Sequence, residues 1–170
     1  MQRITIIQGE FHVATEPDVL IGTLLGSCVA ICLHDATARV GGMNHFLLGE
    51  PSGNERIAEA DQQRYGIHAM ELLFNAMMRK GAVRSRLRAH LYGGANIVAG
   101  LGQIGSSNAA FARRFIATEG IELGRSELGG TAARRVEFLP HLGKVRSWLV
   151  ADRVPDVRPV ARAGGDLELF

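Results

Sequence analysis

Residues 19–33 read VLIGTLLGSCVAICL and carry no charge. A helix that crosses a membrane needs about 20 consecutive apolar residues. This run is shorter, and Gly22, Thr23, Gly26 and Ser27 interrupt it. The chain must therefore bury it inside a soluble core. Pro17 before it and the Gly26–Ser27 break divide it into two strands, residues 18–25 and 29–33. Residues 40–48, VGGMNHFLL, form a third apolar segment across the polar HDATAR turn, so the second and third segments read as a hairpin.

The remaining elements follow from periodicity. Residues 3–8 read as a first short strand. Met70, Leu73, Phe74, Met77 and Met78 recur at helical spacing within residues 65–80, and Gly81 is a natural stop. Residues 87–92 form a strand. Ser106 or Ser107 caps a second helix that runs to Glu119 and ends at Gly120. Residues 121–124, 132–139 and 144–150 then read as a β meander. The polar stretch 49–62 is an exposed loop. The expected fold is α/β (with α+β character), a single-domain sandwich of a mixed sheet packed by two main helices over residues 1–151. Residues 152–170, rich in Pro and Gly, form a C-terminal tail.

Composition narrows the function. The 170 residues are 46% hydrophobic and 21% charged, which suits one globular domain. Net charge is +2, and the arginines are scattered without interleaved aromatics, so no nucleic-acid partner is expected. The opening MQRITIIQGEF lacks the basic segment and apolar core of a secretory signal. A cytoplasmic chain with reduced thiols is expected.

Cys28 and His45 are the candidate chemical pair. If the hairpin turn centres on Ala36–Thr37, paired residue numbers sum to 73 and the two residues face each other across the ladder. A thiolate is the nucleophile, and an imidazole can take its proton. Gly26 and Ser27 would give the turn that lifts the sulfur out of the sheet and offers backbone N–H groups to an oxyanion. Gly41 and Gly42 would admit a substrate backbone. The competing reading makes Cys28 a core filler, as Cys32 is expected to be. A zinc site from Cys28, Cys32, His34 and His45 is weaker, because C-x3-C is not a usual clamp. GLGQIG, residues 100–105, matches a dinucleotide-binding fingerprint, with Glu122 placed for a ribose. The strand before it is too short to support that reading.

Seven motifs occur in order over residues 24–145: LLGSCVAICLHD, GGMNHFLL, YGIHAMELLFNAMMRKGA, LYGGAN, IGSSNAAF, EGIELGRSELGGTAARRVEFLP and GKV. Together they resemble the chemoreceptor glutamine deamidases of the CheD family. Glu127 stands where an Asp is usual in that pattern, and His141–Leu142 replace a polar residue before Gly143. The resemblance implies an α/β sandwich that hydrolyses glutamine side chains on methyl-accepting chemotaxis receptors, with receptor methyl esters as further substrates. It implies Cys28 as nucleophile, His45 as base and Thr23 as third member, with no cofactor and no metal. The implied partners are the receptors and, in some relatives, a CheC-type phosphatase. The alternative is a non-catalytic regulatory module that docks on such a partner.

Overall fold

A computed structural model describes residues 1–48, 59–97 and 103–150. The elements in chain order are β1 (Gln2–Thr5), β2 (Phe11–Ala14), β3 (Val19–Leu25), β4 (Val29–Asp35), β5 (Val40–Asn44), α1 (Glu59–Arg79), β6 (Leu87–Gly93), α2 (Ile104–Glu119), β7 (Glu122–Leu128), β8 (Arg134–Leu139) and β9 (Lys144–Leu149). The expected α/β sandwich with two main helices is the fold observed. Its strands divide between a four-stranded sheet, ordered β1-β3-β8-β9, and a five-stranded sheet, ordered β2-β5-β4-β6-β7.

Three layers result. The five-stranded sheet lies in the middle, and both of its faces are covered, which is why β4 is apolar almost without alternation. Val29, Ile31 and Leu33 point to the helices, where they meet Met70, Leu73, Met77, Phe111 and Ile116. Cys28, Ala30 and Cys32 point to the four-stranded sheet, where they meet Ile21, Leu25, Val136 and Phe138. The helical repeat read from the sequence is the buried face of α1, although the helix begins at Glu59, earlier than its apolar stripe.

The hairpin register differs from the expected one. Cys32 pairs with Met43 and Asp35 with Val40, so paired numbers sum to 75. The cause is Asp35. Its Oδ1 accepts the N–H groups of Thr37 and Ala38, both at 3.0 Å, which holds the chain in a turn before it can reverse at Ala36–Thr37. The loop takes four residues and closes through Arg39, whose φ is +58°. Cys28 therefore does not face His45 directly. A two-residue shift preserves the side-chain parity, so both residues stay on the inner face, flanking the Val29–Phe46 bridge as diagonal neighbours.

The meander is also corrected. β7 runs parallel to β6 in the five-stranded sheet, and only β8 and β9 form a hairpin in the other sheet. A parallel neighbour needs a crossover, and α2 supplies it. The chain then passes between sheets at Gly129 and Gly130, both at positive φ. β2 has no counterpart in the sequence reading; it is a short edge strand of only partly apolar pattern. Gly41 and Gly42 do not open a path for substrate. Gly41 packs on Pro140, and Gly42 on Val13, Leu73 and Met77. Residues 49–58 of the expected loop, the segment 98–102 and the tail from residue 151 lie outside the described residues. α2 starts at Ile104, and Gln103 rather than a serine holds the cap position.

Asp35 is fully buried and binds Arg86 Nε at 3.0 Å and the Val83 N–H at 2.8 Å as well as its own turn. Burial alone would raise its pKa. The Arg86 guanidinium and the Ala38 and Val83 amides outweigh that and hold the carboxyl well below the usual range. Asp35→Ala strands Arg86 and three amides, so it is expected to cost about 3 kcal/mol, read as a fall in urea midpoint. Because the folded pKa is depressed, this stabilisation is complete above the unfolded aspartate pKa and is lost only as pH falls below it.

Candidate active site

The inter-sheet layer brings a hydroxyl from one sheet to an imidazole on the other. Thr23 lies on β3 between Ile21 and Leu25, two inward-facing core residues, and shares their face. His45 lies one residue beyond β5, beside the bridge residue Phe46. Thr23 Oγ1 is 2.7 Å from His45 Nδ1 and 2.7 Å from the Ile6 carbonyl oxygen.

These two contacts fix the tautomer. A carbonyl oxygen can only accept, so the single hydroxyl proton of Thr23 goes to Ile6. The hydroxyl oxygen must then accept from His45 Nδ1–H. Nε2 is left with its lone pair, as a base requires. Burial pushes the His45 imidazole down from its ordinary 6.5 to about 4, so the ring is neutral at pH 7.

Cys28 occupies the same layer at the end of the Gly26–Ser27 turn. It is 9% exposed, whereas Cys32 is 0% exposed. That difference separates the two thiols. Burial drives the Cys32 pKa far up, so Cys32 is an inert packing residue in the central strand, as expected. The Cys28 Sγ–H donates to Gln8 Oε1 at 3.8 Å.

The turn that carries Cys28 is held by its carbonyls. The Gly26 carbonyl accepts from Ala95 N–H at 3.0 Å, and the Cys28 carbonyl from Gly94 N–H at 2.8 Å. The Ser27 carbonyl accepts from Asn108 Nδ2 at 2.8 Å. Gly93 has a φ of +108°, and a side chain there would collide with the Cys28 carbonyl. Asn108 also accepts the Leu48 N–H at 3.0 Å through Oδ1, so one buried amide joins the cysteine turn to the segment after His45. Gly26 and Ser27 thus form the expected turn, anchored by residues the sequence reading did not assign to the site. Asn108 left one signal: it is a polar residue on the buried face that Phe111 and Ala112 define in α2.

The other candidates lie elsewhere. His34 sits against the His141 carbonyl, and the cluster of Cys28, Cys32, His34 and His45 does not form a ligand set: among the described residues no three His, Cys, Asp or Glu side chains are grouped to hold a metal. Of GLGQIG, residues 100–102 lie outside the described residues, and Gly105 packs against Gly94 and Ala95. Glu122 is exposed and lies 3.9 Å from Arg88. Glu127 accepts from Arg134 at 3.1 Å and from Ser147, tying the edge of the central sheet to the outer one. No helix among the described residues is long and apolar enough to cross a membrane.

This arrangement defines a layered α/β protein with a thiol, an imidazole and a hydroxyl set between its two sheets. The family model described as CheD chemotactic sensory transduction matches residues 47–147. A Zymomonas mobilis protein named "probable chemoreceptor glutamine deamidase CheD" is 53% identical, over 99% of this chain and 93% of that one. Proteins of the same name from Caulobacter sp. K31 and Agrobacterium fabrum are 49% and 42% identical, each over 99% of this chain and over 93% and 97% of theirs. The chain belongs to the CheD family. This similarity covers 99% of the chain and so runs well past residue 145, where the motifs read from the sequence stop. The Neisseria meningitidis protein NMB0706 aligns with a TM-score of 0.42 at 16% identity, over 71% of this chain and 52% of that one, too distant to bear on the site.

Two measurements test this geometry. Asn108→Ala leaves the Ser27 carbonyl and Leu48 amide without their partner, and is expected to cost about 2 kcal/mol in urea unfolding. For His45 the folded pKa lies below the unfolded one. Between 6.5 and about 4 the unfolded chain takes up a proton that the folded chain refuses. Stability from this residue is therefore complete above pH 6.5 and declines as pH falls toward 4. Wild type should lose stability faster than His45→Gln across that window.

Proposed function

We propose that this chain hydrolyses glutamine side chains of chemoreceptors to glutamate, with Cys28 as nucleophile, His45 as base and Thr23 as the group that orients the base. The observation that carries the reading is the Thr23–His45 hydrogen bond, set in the layer that also holds the more accessible thiol. The names of its close relatives support the substrate.

His45 Nε2 takes the proton of the Cys28 thiol. Because burial disfavours the imidazolium, the resting pair is neutral and the proton moves as the attack proceeds. The thiolate attacks the carboxamide carbon of the substrate, and the carbonyl π pair moves to oxygen. When the carbonyl re-forms, the C–N bond breaks and nitrogen leaves as ammonia with the proton from His45. The thioester that remains is attacked by water, which gives a proton to His45. The C–S bond breaks, the sulfur recovers its proton, and glutamate is released. A receptor methyl ester would pass through the same thioester with methanol as leaving group.

Each turnover replaces a neutral side chain by a carboxylate. That adds charge repulsion within a receptor's helical bundle, which is how the reaction would tune signalling in the cytoplasm. A CheC-type phosphatase would act by occupying the deamidase. A purely regulatory role differs in one observable: Cys28→Ala would then keep all of its effect on the partner.

Receptor cytoplasmic fragments incubated with the protein should gain the small mass of an amide-to-acid change at particular glutamines. Cys28→Ala should give none. Thr23→Ala is expected to lower kcat on the order of 100-fold by releasing the imidazole tautomer, and Thr23→Ser to recover most of it. Wild-type rates in Cys28→Ala would refute the thiol mechanism.

A further inference from the structure

The turn between β1 and β2 wraps the site more closely than a simple connection needs to. The Ile6 carbonyl accepts from Thr23, and the Ile6 N–H donates to the Gly22 carbonyl at 3.0 Å. Three residues on, Gly9 N–H donates to the His45 carbonyl at 2.8 Å, and the His45 N–H donates to the Glu10 carbonyl at 3.1 Å. The turn closes on itself: Glu10 N–H donates to the Ile7 carbonyl at 2.9 Å, and Ile7 N–H to Glu10 Oε1 at 3.0 Å. Gly9 takes the positive φ, +92°, that so tight a reversal demands. Gln8 stands at the tip, anchored on both sides, and its carboxamide oxygen accepts from the Cys28 thiol.

We propose that Gln8 supplies the side-chain donor that stabilises the oxyanion formed at Cys28. The proposal rests on the deamidase reading and names a further participant in it. In the resting site the thiol donates to Gln8 Oε1. Once the thiol proton has moved to His45, that oxygen would face a negative charge. A half-turn of the amide about its last side-chain bond exchanges Oε1 for Nε2 at nearly the same place and turns an acceptor into a donor. When the C–S bond forms, the substrate oxygen that receives the carbonyl pair lies one bond beyond the carbon attached to sulfur. An N–H group already within hydrogen-bond reach of sulfur can reach that oxygen. Gln8 transfers no proton and forms no covalent bond; its Nε2–H donates to the charged oxygen a hydrogen bond that strengthens only after attack. Its backbone is held by the clamped turn, so the half-turn of the amide is the reorganisation the step requires.

The roles of Thr23 and Gln8 are distinct. Thr23 acts through His45 and is a positioning residue. Gln8 touches the reacting oxygen and would be a catalytic residue, one whose loss lowers kcat and spares substrate binding. Its exposed position at the tip of the turn leaves the core untouched by substitution.

The test uses the full chain, a receptor cytoplasmic fragment and iodoacetamide. Gln8→Ala should lower kcat by about 100-fold with KM unchanged. Gln8→Glu should lower it at least as far and move the pH profile of Cys28 alkylation to higher pH, because a carboxylate beside the sulfur opposes the thiolate. Circular dichroism and melting should match wild type for both. The proposal is overturned if Gln8→Ala keeps kcat within about twofold of an active wild type, since a lost donor costs far more. It is equally overturned if intact-mass analysis finds Gln8 itself converted to glutamate in wild type but not in Cys28→Ala, which would make this carboxamide a substrate in cis. Failure of the deamidase reading gives a different result, a wild type that leaves every receptor fragment unchanged.

Discussion

The central sheet is buried on both faces, and most of what this molecule can do follows from that. A strand covered on two sides has no solvent face on which to discard a polar group. Along β4 every second residue enters the helical layer and every other one enters the layer between the sheets. Parity therefore decides chemistry. Cys28 and His45 reach the inter-sheet layer because each stands an odd number of residues from a helix-facing neighbour. The four-stranded sheet then presents Thr23 to the same layer, and its hydroxyl connects the two sheets through one imidazole.

A buried imidazole needs both a fixed proton and a reason to remain neutral. Thr23 provides the first by spending its own proton on the Ile6 carbonyl. Burial provides the second. Neither effect would operate at the surface, where water would compete for the hydroxyl and solvate the imidazolium. The same logic governs the cysteine turn. Gly94, Ala95 and Asn108 take its three carbonyls, so the backbone that carries the sulfur is held by hydrogen bonds that water cannot readily replace. Sites held this way keep their geometry at a stability cost if any one partner is lost.

Much of this was legible in the residues. The break at Gly26–Ser27, the hairpin, the apolar stripe of α1 and the glycine that ends α2 are local signals, and local signals survive folding. The motifs also named Cys28, His45 and Thr23, through resemblance to a family. The inferred contact between Cys28 and His45 rested on a turn that does not form. Asp35 could be read as a turn residue, but that its side chain would capture two amides and lengthen the loop depends on Arg86 and Val83, which hold the same carboxylate from 48 and more residues away. Asn108, Gln8 and the Gly94–Ala95 amides went unassigned for a related reason: their partners are distant in the chain, and spacing does not report distance in space.

Sequence by itself determined both helices and every strand except β2, which residues of each segment share a face, and which thiol stands at a turn. These depend on periodicity and on backbone preferences that act over a few residues. Tertiary structure alone decided the register of the hairpin, the transfer of β7 to the central sheet and the meeting of Thr23 with His45. Each of those is set by contacts between elements far apart in the chain. A helix must return the chain before a parallel strand can form, a buried carboxylate must find its cation before a loop takes its length, and two sheets must stack before a hydroxyl on one can fix a proton on the other.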